Sequence, residues 1–143
     1  MITRETDYGI RAMMYLAVQP DYSVPVSSAD LADTMGIPYR FLRKIVLKLI
    51  RANLVSSRRG KGGGLTIAVP PEEISLYQIM MAVDPNGISL NQCIEDESRC
   101  ARSYFCGLHA ALKEVQQVFD AKLQSIMLSS IAQADKERIR AKS

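Results

Sequence analysis

Tryptophan is absent from this 143-residue chain, histidine occurs once and cysteine three times. No apolar run approaches the roughly 20 residues that cross a bilayer, which argues against a membrane protein. The opening MITRETDYGIR carries charges where a secretory leader needs its apolar stretch, so the expected compartment is the cytoplasm. In that reducing environment a structural disulfide is disfavoured, and three cysteines would leave one unpaired in any case. One histidine leaves little imidazole chemistry, and nothing in the chain assembles a nucleophile with its base or a substrate-binding loop. The expectation is a non-enzymatic protein without a small-molecule substrate.

Acidic residues are also missing where they would matter. Between Asp33 and Glu72 there is none, while Arg40, Arg43, Lys44, Lys48, Arg51, Arg58, Arg59 and Lys61 fall in that window. Of the net charge of +3, these eight contribute +8 and leave −5 for the rest of the chain. Ordinary solvated faces mix signs, so one-signed charge points to a polyanion partner.

Within the window, Ser27 followed by Asp30 reads as a capping box before a short helix with Leu31, Ala32 and Met35 inside, stopped by Gly36. Pro38 fits the first turn of a second helix, where Leu42, Ile45, Val46 and Leu49 form one buried stripe. Tyr39, Arg40, Arg43, Lys44 and Lys48 fall outside it. Two short helices around a tight turn, the second basic, describe a helix-turn-helix. LVSS and LTIAV then read as two strands, and RRGKGGG between them as a glycine-rich tip carrying Arg58, Arg59 and Lys61. That is a wing; the tip lacks the spacing of a phosphate-binding loop and is followed by a strand, not a helix.

Beyond the wing, PPEEISLYQIMMAVDPNG contains a short helix with Leu76, Ile79, Met80 and Val83 inward. From about Ser103 to about Gln133 the chain reads as one amphipathic helix. Its stripe, including Leu112, Val115, Phe119, Leu123 and Ile126, is too long for so small a domain to bury, which predicts a homodimer built on this seam. The expected organisation is a winged helix-turn-helix domain over 1–84, a cysteine-containing loop over 85–103, a dimerisation helix over 104–134 and a frayed tail over 135–143. The expected fold class is mostly α with a small β wing.

All three cysteines and the histidine fall in CIEDESRCARSYFCGLH, residues 93 to 109, with the spacing C-x6-C-x5-C-x2-H. A disulfide, a zinc site, an iron-sulfur cluster and chance are the options, and without a C-x2-C knuckle zinc is not favoured. Cys93, Cys100 and Cys106 cannot converge from one continuous helix, so the first two belong on a loop. Cys106 and His109 would share one side of the first turn of the long helix, with Ser103 as its cap and the positive end of the helix dipole beside them.

The opening TRETDYGIRAMMYLA, the stretch IPYRFLRKIVLKLIRANLVSSRRGKGGG, the EEISLYQIMMAVD after it and the cysteine cluster before a long helix together resemble the IscR and NsrR type of winged-helix regulators, in the Rrf2 superfamily. The resemblance covers nearly the whole chain, and LVSSRRGKGGG is its most specific part. It implies a dimeric transcription factor that binds a double-stranded DNA operator with an affinity set by an iron-sulfur cluster sensing iron, redox state or nitric oxide. It makes Cys93, Cys100 and Cys106 cluster ligands. The fourth is then either the histidine matching His109, as in the IscR type with [2Fe-2S], or an aspartate of the partner subunit matching Asp7, as in the NsrR type. RETDYG matches the aspartate-bearing relatives, which favours Asp7 and [4Fe-4S]. The spacing departs from those relatives by one extra residue between the first two cysteines. The candidate DNA contacts are Ser28, Tyr39, Arg40, Arg43, Lys44, Lys48, Arg58, Arg59 and Lys61, with Arg43 aimed at a base edge and Arg59 at the minor groove. The competing expectation is a zinc-stabilised or electron-transfer interaction protein whose basic window is a docking face.

Overall fold

The computed structural model describes residues 2–142; Met1 of the expected first domain and Ser143 of the expected tail lie outside the described residues. The Thr3 hydroxyl accepts a hydrogen bond from the Thr6 amide and opens α1 (Arg4–Ala17), whose buried side carries Gly9, Ala12, Met13 and Leu16. Glycine at position 9 lets α1 approach closely, since a Cβ there would stand 2.6 Å from Val83 Cγ2.

Ser27 caps α2 (Ser28–Met35) by accepting from the Asp30 amide, Gly36 ends it in the left-handed region, and α3 (Tyr39–Arg51) follows Pro38. Leu42, Ile45 and Leu49 of α3 are fully buried, so the apolar stripe faces the core and Arg43 and Lys44 between its members face out. β1 (Val55–Arg58) and β2 (Gly64–Ile67) pair antiparallel, with Val55 opposite Ile67 and Arg58 opposite Gly64. Val26 joins the edge of this hairpin through two backbone hydrogen bonds with Leu65, of 2.9 and 2.8 Å. Gly64 sits at φ +146°, and a Cβ on it would meet the Val26 carbonyl oxygen at 2.4 Å, so any side chain there would part the wing from this edge. A capping box between Ser75 and Gln78 starts α4 (Leu76–Val83), which buries Ile79, Met80 and Val83. The result is the expected class, a mostly helical winged helix-turn-helix with a two-stranded sheet.

The single helix expected over 104–134 is instead two, α6 (Gly107–Ser125) and α7 (Leu128–Lys142). At Ile126 the backbone is extended (φ −93°, ψ 109°). Its carbonyl accepts from the Leu76 amide at 2.8 Å, and the Leu128 amide donates to the Ile74 carbonyl at 2.8 Å. This strand-like pairing with a segment far upstream breaks the helix and turns α7 back over α1, where Leu128 and Ala132 enter the main core. The residues expected to fray continue α7 through Lys142. Among the described residues no helix is long and apolar enough to cross a membrane.

Ser103 does not cap α6. It lies in a short turn (Ser103–Phe105), its hydroxyl donates to the Glu97 carbonyl at 3.2 Å, and Cys106 takes the capping position without a side-chain bond. Leu123, expected in the dimer seam, is buried against Met80 and Ile88 of its own chain. At 100° per residue Leu123 shares a side with His109 and Gln116, next to the seam but turned inward. Ile126, also expected there, is half-buried at the bend. The remaining stripe is outside: Leu108, Val115, Val118 and Phe119 are exposed and Leu112 is half-buried.

Candidate nucleic-acid interface and cysteine loop

α2, α3 and the wing enclose an open groove of about 310 Å³, and Ser28, Tyr39, Arg43 and Arg59 all line it. The resemblance implies all four as DNA contacts, and the fold brings them to one groove. Ser28 reaches it from the first turn of α2, Tyr39 and Arg43 from successive turns of α3, and Arg59 from the hairpin tip beyond β1. Arg40 and Lys44 are exposed on the same helix, and Arg58 and Lys61 are exposed on the wing. The Arg40 guanidinium lies 4.9 Å from the centre of the Phe41 ring, and Phe41 lies 6.3 Å from Tyr8, which steadies the start of α3 against α1. The groove therefore presents guanidinium groups from two directions, with no carboxylate among the described residues that line it.

Lys48 does not belong to this face. Its Nζ donates to Glu5 Oε2 at 2.9 Å and to the Val83 carbonyl at 2.8 Å, so its charge is directed toward α1 and the end of α4. One position after Leu47 the helix has turned about 100° away from the outward face, and a long side chain finds a carboxylate there. Leu47 itself, which sequence reasoning passed over, is exposed in the groove; its place four residues after Arg43 was the available signal.

The cysteine loop runs from the end of α4 to the start of α6. Cys93 sits in a single helical turn, α5 (Gln92–Glu95), Cys100 follows the turn Glu97–Arg99, and Cys106 begins α6; all three are half-buried free thiols. The inner side of α6 fastens the loop with polar groups. The buried Gln116 carboxamide accepts from the Leu90 amide at 2.8 Å and donates to the Ile88 carbonyl at 3.1 Å and to Asp120 Oδ1 at 2.7 Å. Glu97 accepts from Lys113 Nζ at 2.8 Å and lies 3.4 Å from His109 Nε2. Lys113, and after it His109, hold the Glu97 carboxyl below the usual carboxylate range, so this tie persists at neutral pH and is lost only as pH falls through that lowered value. His109 is buried, and its Nδ1 has no hydrogen-bond partner among the described residues. Sequence reasoning missed Gln116; a polar residue seven after His109, on the same side of the helix, was its only trace.

Asp7 lies half-exposed on α1 in an ion pair with Arg11 at 2.7 Å. The donors fit an iron-sulfur cluster in kind: three reduced thiols on one loop, beside the start of a 19-residue helix whose first amides have no side-chain cap and whose first turn has no acid. Among the described residues of one copy, no three His, Cys, Asp or Glu side chains are placed to hold a metal ion.

The family model named Rrf2, described as iron-dependent transcriptional regulator, matches residues 2–134. The transcriptional repressor NsrR of Streptomyces coelicolor is 29% identical over 133 residues, covering 93% of this chain and 88% of that protein. IscR of T. potens shares the fold with a TM-score of 0.75 at 24% identity, over 96% of this chain and 90% of that one. CymR, the global cysteine regulator of B. subtilis, has a TM-score of 0.71 at 26% identity, over 94% of this chain and 97% of its own.

Proposed function

This chain belongs to the Rrf2 family of transcriptional regulators, which are non-enzymatic DNA-binding proteins, and we propose that it is a dimeric repressor whose operator affinity is set by an iron-sulfur cluster. The observation that carries the DNA-reading part is the groove uniting Ser28, Tyr39, Arg43 and Arg59. In this reading α3 enters the major groove with Arg43 at a base edge. Arg59 follows the minor groove, where narrow A·T-rich segments concentrate negative potential, and Arg40, Lys44, Arg58 and Lys61 meet phosphates. The interaction-protein alternative is tested by salt: from about 50 to 200 mM the specific affinity for duplex is expected to fall at least a thousand-fold, as for six or more phosphate contacts. Binding that ignores both salt and sequence would favour the docking face.

The iron dependence in the family description supports the cluster, and Cys93, Cys100 and Cys106 are the residues that would hold it. The fourth donor is Asp7 of the partner subunit, with [4Fe-4S] as the cluster; His109 with [2Fe-2S] is the alternative. When bound, the cluster would supply metal-thiolate bonds sensitive to iron supply, oxidants and nitric oxide. What the chain supplies is an electropositive helix start beside Cys106 and a loop pinned to α6 by Gln116, Lys113 and His109. The likeness to CymR favours a second reading, a regulator of that kind working without a cluster. Three thiols kept on one loop support the first.

Two copies joined along α6 would cover the exposed Leu108, Val115, Val118 and Phe119 with the half-buried Leu112 and set two α3 helices on successive half-sites. Val115→Asp with Phe119→Asp places unpaired charges in that seam at a cost of several kcal/mol. Both positions are solvent-facing in one copy, so the double variant is expected to keep its circular dichroism and sediment as a folded monomer. A dimer of wild-type strength would place the seam elsewhere.

A further inference from the structure

Leu47 is a leucine without a core. It is 55% exposed, while Leu42 and Leu49 of the same helix are fully buried. It is also remote in sequence from the apolar stripe of α6 that a second copy would cover. Instead it lines the groove together with Ser28, Tyr39, Arg43 and Arg59, beside the half-buried Val46 and Ile50. An isolated surface leucine needs no explanation. This one shares its groove with Arg43 and Arg59, within a window of the chain that holds no acid at all. That charge selects a polyanion over an apolar protein partner.

We propose that Leu47 reads the methyl group of a thymine in the major groove and so fixes the operator sequence next to the base contacted by Arg43. The proposal rests on the reading of α3 as the helix that enters the groove. A duplex offers one apolar feature on its major-groove edge, the thymine C5 methyl; cytosine presents an amino donor there that leucine cannot pair. Arg43 and Leu47 are four residues apart on the outward side of α3, an advance of about 6 Å, against about 3.4 Å per base step. The thymine therefore lies within about two base pairs of the base met by Arg43. A leucine at this point adds discrimination that no hydrogen-bonding side chain on the face supplies, and it leaves the phosphate contacts unchanged.

The test uses full-length protein and the highest-affinity duplex selected from a random pool. Each thymine is exchanged singly for deoxyuridine, which removes only the methyl group, and binding is measured for wild type, Leu47→Ala and Arg43→Ala. For wild type, one exchange per half-site is expected to weaken binding about four-fold, the effect of exposing one buried methyl group. That position lies within about two base pairs of the one to which Arg43→Ala loses its preference. Leu47→Ala, exposed and therefore expected to melt with the wild type, should bind the thymine and deoxyuridine duplexes equally. Wild type insensitive to every exchange, or Leu47→Ala as sensitive as wild type, overturns the proposal. Arg43→Ala binding like wild type would instead remove the reading of α3 itself, and the role of Leu47 with it.

Discussion

Arg43→Ala combined with Arg59→Ala is expected to abolish specific operator binding while leaving the fold intact. A bidentate arginine-guanine contact contributes about 1 to 3 kcal/mol of discrimination, and a dimer uses it once in each half-site, so Arg43→Ala alone removes about 2 to 6 kcal/mol. That is a loss of roughly thirty-fold to twenty-thousand-fold. Arg59→Ala adds a weakened hold on A·T-rich flanks, and the salt dependence becomes shallower as cationic contacts disappear. Neither side chain touches the core: both line the open groove, and the wing is held by the β1–β2 register and by the Val26–Leu65 pair. The melting temperature should therefore stay within a degree or two of wild type. Fluorescence anisotropy on the selected duplex reads the result, and a double variant within a few-fold of wild type would remove the DNA-reading face from this groove.

Cys106→Ser is expected to prevent cluster assembly altogether, because serine is a poor ligand for iron and position 106 stands at the electropositive start of α6. Serine can cap a helix, so the fold should be retained. The companion pair identifies the fourth donor. Asp7 is half-exposed on α1 and held only by an ion pair with Arg11, so a cluster in a second copy can compete for it. His109 is turned into the inner side of α6, with Nε2 facing Glu97, as expected of a residue that positions the loop. Anaerobic reconstitution is thus expected to give a perturbed, oxygen-labile spectrum for Asp7→Ala and a near-native one for His109→Ala. The reverse pattern would establish His109 and the [2Fe-2S] form.

The winged helix-turn-helix was legible because its signals are local. Ser27 caps α2, Gly36 stops it, the stripe of Leu42, Ile45 and Leu49 keeps a helical period, and Gly64 has no room for a side chain. What was not legible depends on contacts between distant parts of the chain. The amphipathic pattern runs unbroken through Ile126, and only the extended segment at Ile74 and Leu76 interrupts it. Leu123 looks like a seam residue until Met80 and Ile88 are seen to cover it. Lys48 fits a basic face until Glu5, on the first helix and 43 residues upstream, accounts for its charge. Gln116 carries no motif, yet its carboxamide holds the base of the cysteine loop.

The central claim is that the state of the cysteine loop sets operator affinity, and one titration tests it most directly. The same protein preparation is divided, one half reconstituted anaerobically with iron and sulfide and the other left cluster-free, and both are titrated against the selected duplex at one salt concentration. An allosteric coupling of about 1 to 3 kcal/mol predicts affinities that differ about 5- to 150-fold, with the difference erased in Cys106→Ser. Equal affinities from a preparation whose spectrum proves the cluster is bound would contradict the account.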